Sequence, residues 1–121
     1  MSPSAPGALS IEVSMLDSTR GHTAVIALTG ELDIATAPQL EQQVNELDSG
    51  PLSQLVLDFR NLAFIDSTGL RVVLGIAESA SGRGARVALV RGPEAVQRVF
   101  SLTGADRELD IVEDLTEVHD G

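Results

Sequence analysis

The chain has 121 residues, 43% of them apolar and 21% charged, the length and balance of one globular domain with its own core. It contains no cysteine, so disulfides and thiolate metal sites are excluded, and a reducing cytoplasm is the expected compartment. The net charge is −10 and the only strongly basic residues are eight scattered arginines. The cationic footprint that a phosphate backbone demands is missing, which argues against nucleic-acid binding; a partner with a basic face fits the charge better, and from net charge alone the favoured reading is simply solubility.

Met1 to Gly7 is small and Pro-rich, with no apolar stretch of the kind a secretory signal carries, and residues 1–8 are expected to form a loose tail before a domain over residues 9–118. No apolar run approaches the roughly 18 residues of a membrane span. Leu9, Ile11, Val13 and Met15 alternate with Ser10, Glu12 and Ser14, the period of a half-buried strand near a sheet edge. Asp17 to Gly21 has turn chemistry, and Thr23 to Thr29 is a denser apolar run that predicts a more central strand ending at Gly30. Thr36 and Gln39 have the spacing of a capping box, and Ala37, Leu40, Val44 and Leu47 then recur at helical intervals until Ser49-Gly50-Pro51 stops them.

Leu55 to Phe59 reads as a third strand, and Asn61 to Asp66 as a connection anchored by Leu62, Phe64 and Ile65. A second helix is predicted from Ser67 to about Ala80, with Leu70, Val73, Leu74 and Ala77 as its apolar stripe. Ala85 to Val90 is a fourth strand. Gly92-Pro93 opens a third helix, with Pro93 in its first turn, Val96, Val99 and Phe100 inward, and Gly104 at its end. Leu109 to Val112 predicts a short last strand and Glu113 to Val118 a final helical turn. Strand–helix–strand steps imply parallel neighbours with right-handed crossovers, and the first two strands should be antiparallel. The expected fold class is α/β, a mixed sheet of four to five strands packed with helices.

A search for chemistry finds no catalytic constellation. His22 and His119 have no metal-ligand spacing and read as surface residues. Gly82-Arg83-Gly84 lacks the lysine and spacing of a phosphate loop, and no nucleophile elbow occurs. No cofactor is expected. Phe64-Ile65-Asp66-Ser67-Thr68-Gly69-Leu70 stands out. By itself it is a helix start, where Asp66 or Ser67 accepts bonds from free first-turn N–H groups. Gly69 fits that reading less well, because glycine is disfavoured in a helix, and it implies close approach of another backbone.

Asp66-Ser67-Thr68-Gly69-Leu70, preceded by Leu57-Asp58-Phe59 and Leu62-Ala63-Phe64-Ile65, closely resembles the D-S-x-G-L signature of STAS domains. Gly30-Glu31-Leu32-Asp33, followed by Thr36-Ala37, resembles the second hallmark of that family, the G-E-L-D loop before the first helix. The two motifs come in the family's order on the expected elements, and the similarity runs from about Leu9 to Leu115.

The resemblance implies an anti-anti-sigma factor: a non-enzymatic cytoplasmic protein that binds an anti-sigma factor with serine-kinase activity and so releases a sigma factor. The kinase would phosphorylate Ser67 and dissolve the complex, and a PP2C-type phosphatase would reverse it. Ser67, rather than its neighbour Thr68, falls on the family's position. The implied partner surface is Asp33, Ile34, Ala35, Asp66, Ser67, Thr68, Gly69 and Leu70. Read from composition alone, Glu31 and Asp33 are a solvated loop that caps the following helix. Asp58 either orients the Ser67 loop or stands as an exposed strand-end acid. The competing readings are a STAS signalling scaffold subunit and a small-ligand or nucleotide-binding STAS module.

Overall fold

The computed structural model describes residues 7–19, 21–47 and 52–115. The alternation at the start of the chain forms β1 (Leu9–Ser18), which pairs antiparallel with β2 (Gly21–Leu32) through a register running from Leu9 opposite Gly30 to Ser18 opposite Gly21. Leu9 is buried and Ile11 and Val13 are half-buried, while Ser10, Glu12 and Ser14 face solvent. The pattern stops working at Met15 and Leu16, which are both exposed. The turn expected over Asp17 to Gly21 falls within that range but is tighter, because the ladder continues to Ser18 opposite Gly21.

Beyond the hairpin come α1 (Ala37–Asn45), β3 (Gln54–Ile65), α2 (Ser67–Gly82), β4 (Arg86–Val90), α3 (Glu94–Thr103), a short 3-10 turn (Ala105–Arg107) and β5 (Asp110–Val112). The five strands lie in the order β1-β2-β3-β4-β5, and every pair after the first is parallel. This is the mixed α/β sheet expected from the strand–helix alternation. The helical stop at Ser49-Gly50-Pro51, the first residues of the tail, and the part of the last helical turn from residue 116 onward lie outside the described residues.

The apolar runs of the inner strands have a simple cause: both faces of the sheet are covered. Ala24, Ile26 and Leu28 of β2, Leu55, Leu57 and Phe59 of β3, and Leu89 of β4 point to the face that carries all three helices, where they meet Leu40, Leu70, Val73, Val96 and Phe100. The rings of Phe59 and Phe100 pack at 5.9 Å with a tilt of 54°. The alternate residues Val25, Val56, Ala88 and Val90 form a second cluster on the opposite face, against Val112 and Leu115.

Two strands run longer than their apolar patterns predict. β2 passes through Gly30 to Leu32, and β3 absorbs the whole of Asn61–Ile65, which the sequence presents as a connection. The ladder survives because β3 carries an extra residue opposite Leu28 and another, Ala63, between Leu62 and Phe64. Each bulge changes which side chains face inward. Leu62 and Ile65 therefore stay buried, whereas Phe64, an expected anchor, is 47% exposed. Gly30 has φ +111°, and a Cβ there would lie 2.2 Å from the Ala8 carbonyl oxygen, so only glycine fits where the start of β1 crosses this position.

Smaller corrections follow the same logic. Pro93 is the N-cap of α3 rather than a first-turn residue, and Gly104 ends that helix with φ +81°. Asp58 does neither of the things its position suggests. It is buried, and its carboxylate accepts from Arg60 Nε at 2.9 Å and Arg60 Nη2 at 2.8 Å, as well as from the Arg60 backbone N–H at 3.1 Å. Burial works against its charge, but the bonds and attraction from Arg60 more than reverse that and hold Asp58 below the ordinary carboxylate value.

Candidate functional site

Parallel pairing places the ends of β2 and β3 side by side, so the loops that leave them open at one end of the sheet, the usual place for a site in an α/β fold. The Asp66 backbone N–H donates to the Leu32 carbonyl at 3.1 Å, extending the ladder one step past Ile65. The chain then turns into α2, and Asp66 is its N-cap.

Asp66 joins the two sequence motifs. Its Oδ1 accepts from the Gly69 N–H at 2.8 Å, satisfying a free donor of the first turn. Its Oδ2 accepts from the Ile34 N–H at 3.1 Å, in the loop between β2 and α1. One carboxylate thus clamps the G-E-L-D loop to the start of the D-S-x-G-L helix. Gly69 completes the junction: a Cβ at that position would lie 2.6 Å from the Leu32 carbonyl oxygen and 2.9 Å from Leu32 Cγ. The close backbone approach inferred from this glycine is therefore present, with Leu32 as the neighbour.

The β2–α1 loop is built around Asp33 and Thr36, but not as a capping box. Asp33 Oδ1 accepts from the N–H groups of Ala35 at 3.0 Å and Thr36 at 3.1 Å, folding the loop on itself. The Thr36 hydroxyl accepts from the Asp33 N–H at 2.9 Å and donates to the Glu31 carbonyl at 2.8 Å, and it makes no bond to the first turn of α1. Gln39 turns away and donates from Nε2 to the Leu9 carbonyl at 2.9 Å, tying α1 to the edge strand. The T-x-x-Q spacing is real, but Asp33 and the edge strand compete successfully for both side chains.

Ser67 is the first residue of α2 and is exposed. Among the described residues its hydroxyl makes no hydrogen bond. The residues expected around it divide by depth. Ile34 and Ala35 are exposed, Ile34 at 73%. Asp33, Asp66 and Thr68 are half-buried, and Gly69 and Leu70 are buried beneath the surface that the others form. Phe64, paired opposite Glu31, adds a second exposed apolar side chain at this end of the sheet. Sequence reasoning counted Phe64 as core, because the bulge that turns it outward leaves no mark in the hydrophobic pattern. Arg71 is exposed one helical turn beyond Ser67 at i+4, the spacing at which helix side chains meet, and the sequence motifs do not include it.

Among the described residues no group of three His, Cys, Asp or Glu side chains could hold a metal ion, and no helix is long and apolar enough to cross a membrane. His22 sits on the exposed hairpin with Nδ1 at 2.6 Å from Asp17 Oδ1, and His119 lies outside the described residues.

Residues 15–115 match the family described as "Mlab, STAS domain", and the chain belongs to the STAS domain family. It is similar to the anti-sigma-F factor antagonist RsfB of Mycobacterium tuberculosis, at 27% identity over 104 residues covering 86% of this chain and 81% of the relative. Among solved structures it resembles an anti-sigma factor antagonist from Mycobacterium paratuberculosis, with TM-score 0.80, 27% identity, and coverage of 95% and 94% of the two chains. It also resembles the anti-sigma factor antagonist SpoIIAA in its unphosphorylated form, with TM-score 0.69, 26% identity, and coverage of 87% and 90%. SpoIIAA, a Bacillus cell-fate determinant, is known in a phosphorylated form too; that structure shares the fold at TM-score 0.67, with 24% identity and coverage of 92% and 97%.

Proposed function

We propose that this protein is an anti-sigma factor antagonist. It binds an anti-sigma factor through the surface around Ser67 and thereby frees a sigma factor. The anti-sigma factor is itself a serine kinase that phosphorylates Ser67 and ends the complex, and a PP2C-type phosphatase restores the binding form. The protein has no catalytic activity of its own and works in the bacterial cytoplasm. The observation that carries this reading is the setting of Ser67: an exposed hydroxyl, without a hydrogen bond among the described residues, at the N-terminus of α2, on a junction that Asp66 ties together at the end of the sheet where Ile34 and Phe64 are exposed. The existence of a phosphorylated form of SpoIIAA supports a switch by the same chemistry.

Such a setting suits a modification that changes binding without unfolding. A phosphate adds about −1.5 to −2 charges at neutral pH. At the start of α2 those charges meet the positive end of the helix dipole and lie one turn from Arg71, so the domain tolerates them. A partner that places a carboxylate about 6 Å from the phosphate then meets repulsion of about 3 kcal/mol per charge pair at an effective dielectric of about 20. Added steric displacement brings the loss of affinity to several hundredfold.

The test uses the anti-sigma factor of the protein's own cell. Isothermal titration should give tight binding for the wild type and Ser67→Ala, and binding weaker by about a hundredfold or more for phospho-Ser67. The circular dichroism spectrum should be the same for all three. Equal affinity of the phosphorylated and unmodified proteins would refute the switch.

A further inference from the structure

Away from the sheet end, α1 and α2 leave an open groove of about 1040 Å³ between them. Its apolar lining comes from Val44 and Leu47 on one side, Leu52 and Leu55 from the segment entering β3, and Val72 and Ile76 of α2. Thr68 stands at one end and Ala85 at the other.

Two features of α2 are not explained by packing within this chain. The first is charge. Arg71 and Arg83 both line the groove, and neither forms an ion pair among the described residues; Arg86 and Arg107 are also unpaired there, but neither lines the groove, and Arg60, Arg91 and Arg98 are each paired to an acid. Glu41 is the one carboxylate among the described residues that line the groove, and it pairs with neither arginine, so in a chain of net charge −10 the groove lining carries a local excess of positive charge. At 1.5 Å per helical residue they stand about 18 Å apart along α2, about three helical turns.

The second feature is Gly75, which lies between them on the groove wall. A Cβ there would meet nothing within 4 Å, in contrast to Gly69 in the same helix. Glycine is among the poorest residues for a helix interior, and here the chain's own packing does not require it. Ser79, one turn further along the same wall, is also small. A wall kept low between two cations leaves room for another backbone to come close.

We propose that the α1–α2 groove receives an acidic amphipathic helix of a partner protein. That helix lies along α2 over Gly75, with its apolar stripe between Leu47 and Ile76 and with carboxylates about three turns apart reaching Arg71 and Arg83. The spacing of the two cations matches a helix of that length better than a small molecule with a single anionic group. Aromatic surface for stacking a base is lacking, since Phe59 and Phe100 are core and Phe64 lies at the sheet end. The proposal does not depend on the modification of Ser67.

The test is a titration of the full chain, followed by amide chemical shifts, with a capped helical peptide about four turns long that has one apolar stripe and glutamates about three turns apart. A control peptide carries lysines at those two places. The glutamate peptide should shift the resonances of Val44, Leu55, Gly75 and Ile76, and its affinity should fall as salt is raised. Affinity should drop about tenfold or more in the double variant Arg71→Glu/Arg83→Glu, where the charge pairing is reversed. It should also drop in Gly75→Leu, which fills the groove at a position where a side chain meets no obstacle. Equal binding of the lysine peptide, undiminished binding by Gly75→Leu, or no binding of the glutamate peptide would overturn the proposal. Dodecanoate shifting the same resonances when the glutamate peptide does not would overturn it in favour of a small apolar anion. Concentration-dependent self-association through this face would assign the groove to a second copy of the chain and overturn it as well.

Discussion

Replacing Asp66 separates its two bonds. In Asp66→Ala, the Gly69 N–H loses its cap and the Ile34 N–H loses its partner. An N-cap of this kind contributes about 1 kcal/mol. The bond to Ile34 spans an exposed loop, where water can take over part of it, so it adds about 0.5–1 kcal/mol. The Ala variant should therefore be less stable by about 2 kcal/mol, a fall in Tm of about 8 °C for a domain of this size. Asp66→Asn keeps one carbonyl oxygen for Gly69 but sets an amide N–H against the Ile34 N–H, so about half the loss remains. Urea unfolding should be followed by far-ultraviolet circular dichroism, because the chain has no tryptophan. Amide exchange then divides the effect: Ala should deprotect both Gly69 and Ile34, and Asn only Ile34. An Ala variant within about 0.5 kcal/mol of wild type, or unchanged exchange at Ile34 in both proteins, would refute the bridging role.

Three further outcomes are expected. The same substitution in one helix should have opposite signs: Gly69→Ala should cost about 1–2 kcal/mol, because its Cβ meets the Leu32 carbonyl, while Gly75→Ala should add about 0.5–1 kcal/mol. Matching signs in urea titrations would undo the close-approach argument. Asp58 has a folded-state pKa depressed by Arg60, so the stability it confers is present above its unfolded value near 3.8 and is lost as the pH falls through the lower folded value. A profile of unfolding free energy below pH 4 should accordingly be flatter in Asp58→Asn than in wild type, and parallel profiles would count against the ion pair. Phe64→Ser, at a half-exposed position, should change stability by no more than about 1 kcal/mol yet weaken binding to the anti-sigma factor by about tenfold or more, as calorimetry can measure.

What could be read from the chain alone follows from which forces are local. The alternation of Leu9, Ile11 and Val13, the doubly buried runs of β2 to β4 and the helical stripes of α2 and α3 each record a regular period, and each element formed. Gly69 announced its neighbour because a glycine in a helix's first turn is costly there, although Gly75 in the same helix has no such neighbour. The misreadings lie where two elements bargain over one residue. Thr36 and Gln39 were free to form a capping box until Asp33 and the Leu9 carbonyl offered them nearer partners. Asp58 looked like a strand-end acid because the length of β3 depends on bulges that its own residues do not signal. Phe64 was misplaced for the same reason. The part of Asp66 that caps α2 was legible, but its bond to Ile34 was not, since it joins residues that only the sheet brings together.

The strand order has a consequence for how the molecule is made. Spatial order in the sheet equals chain order, so no strand has to be inserted between two that are already paired. A chain emerging from the ribosome can lay β1 against β2, wrap α1, and add β3 at a free edge, with β4 and β5 joining in turn. The junction around Ser67 draws on β2, the β2–α1 loop, the end of β3 and the start of α2, and needs nothing from β4, α3 or β5. Until β4 pairs with it, β3 is an open edge, and that edge, rather than the junction around Ser67, is where misassembly would begin.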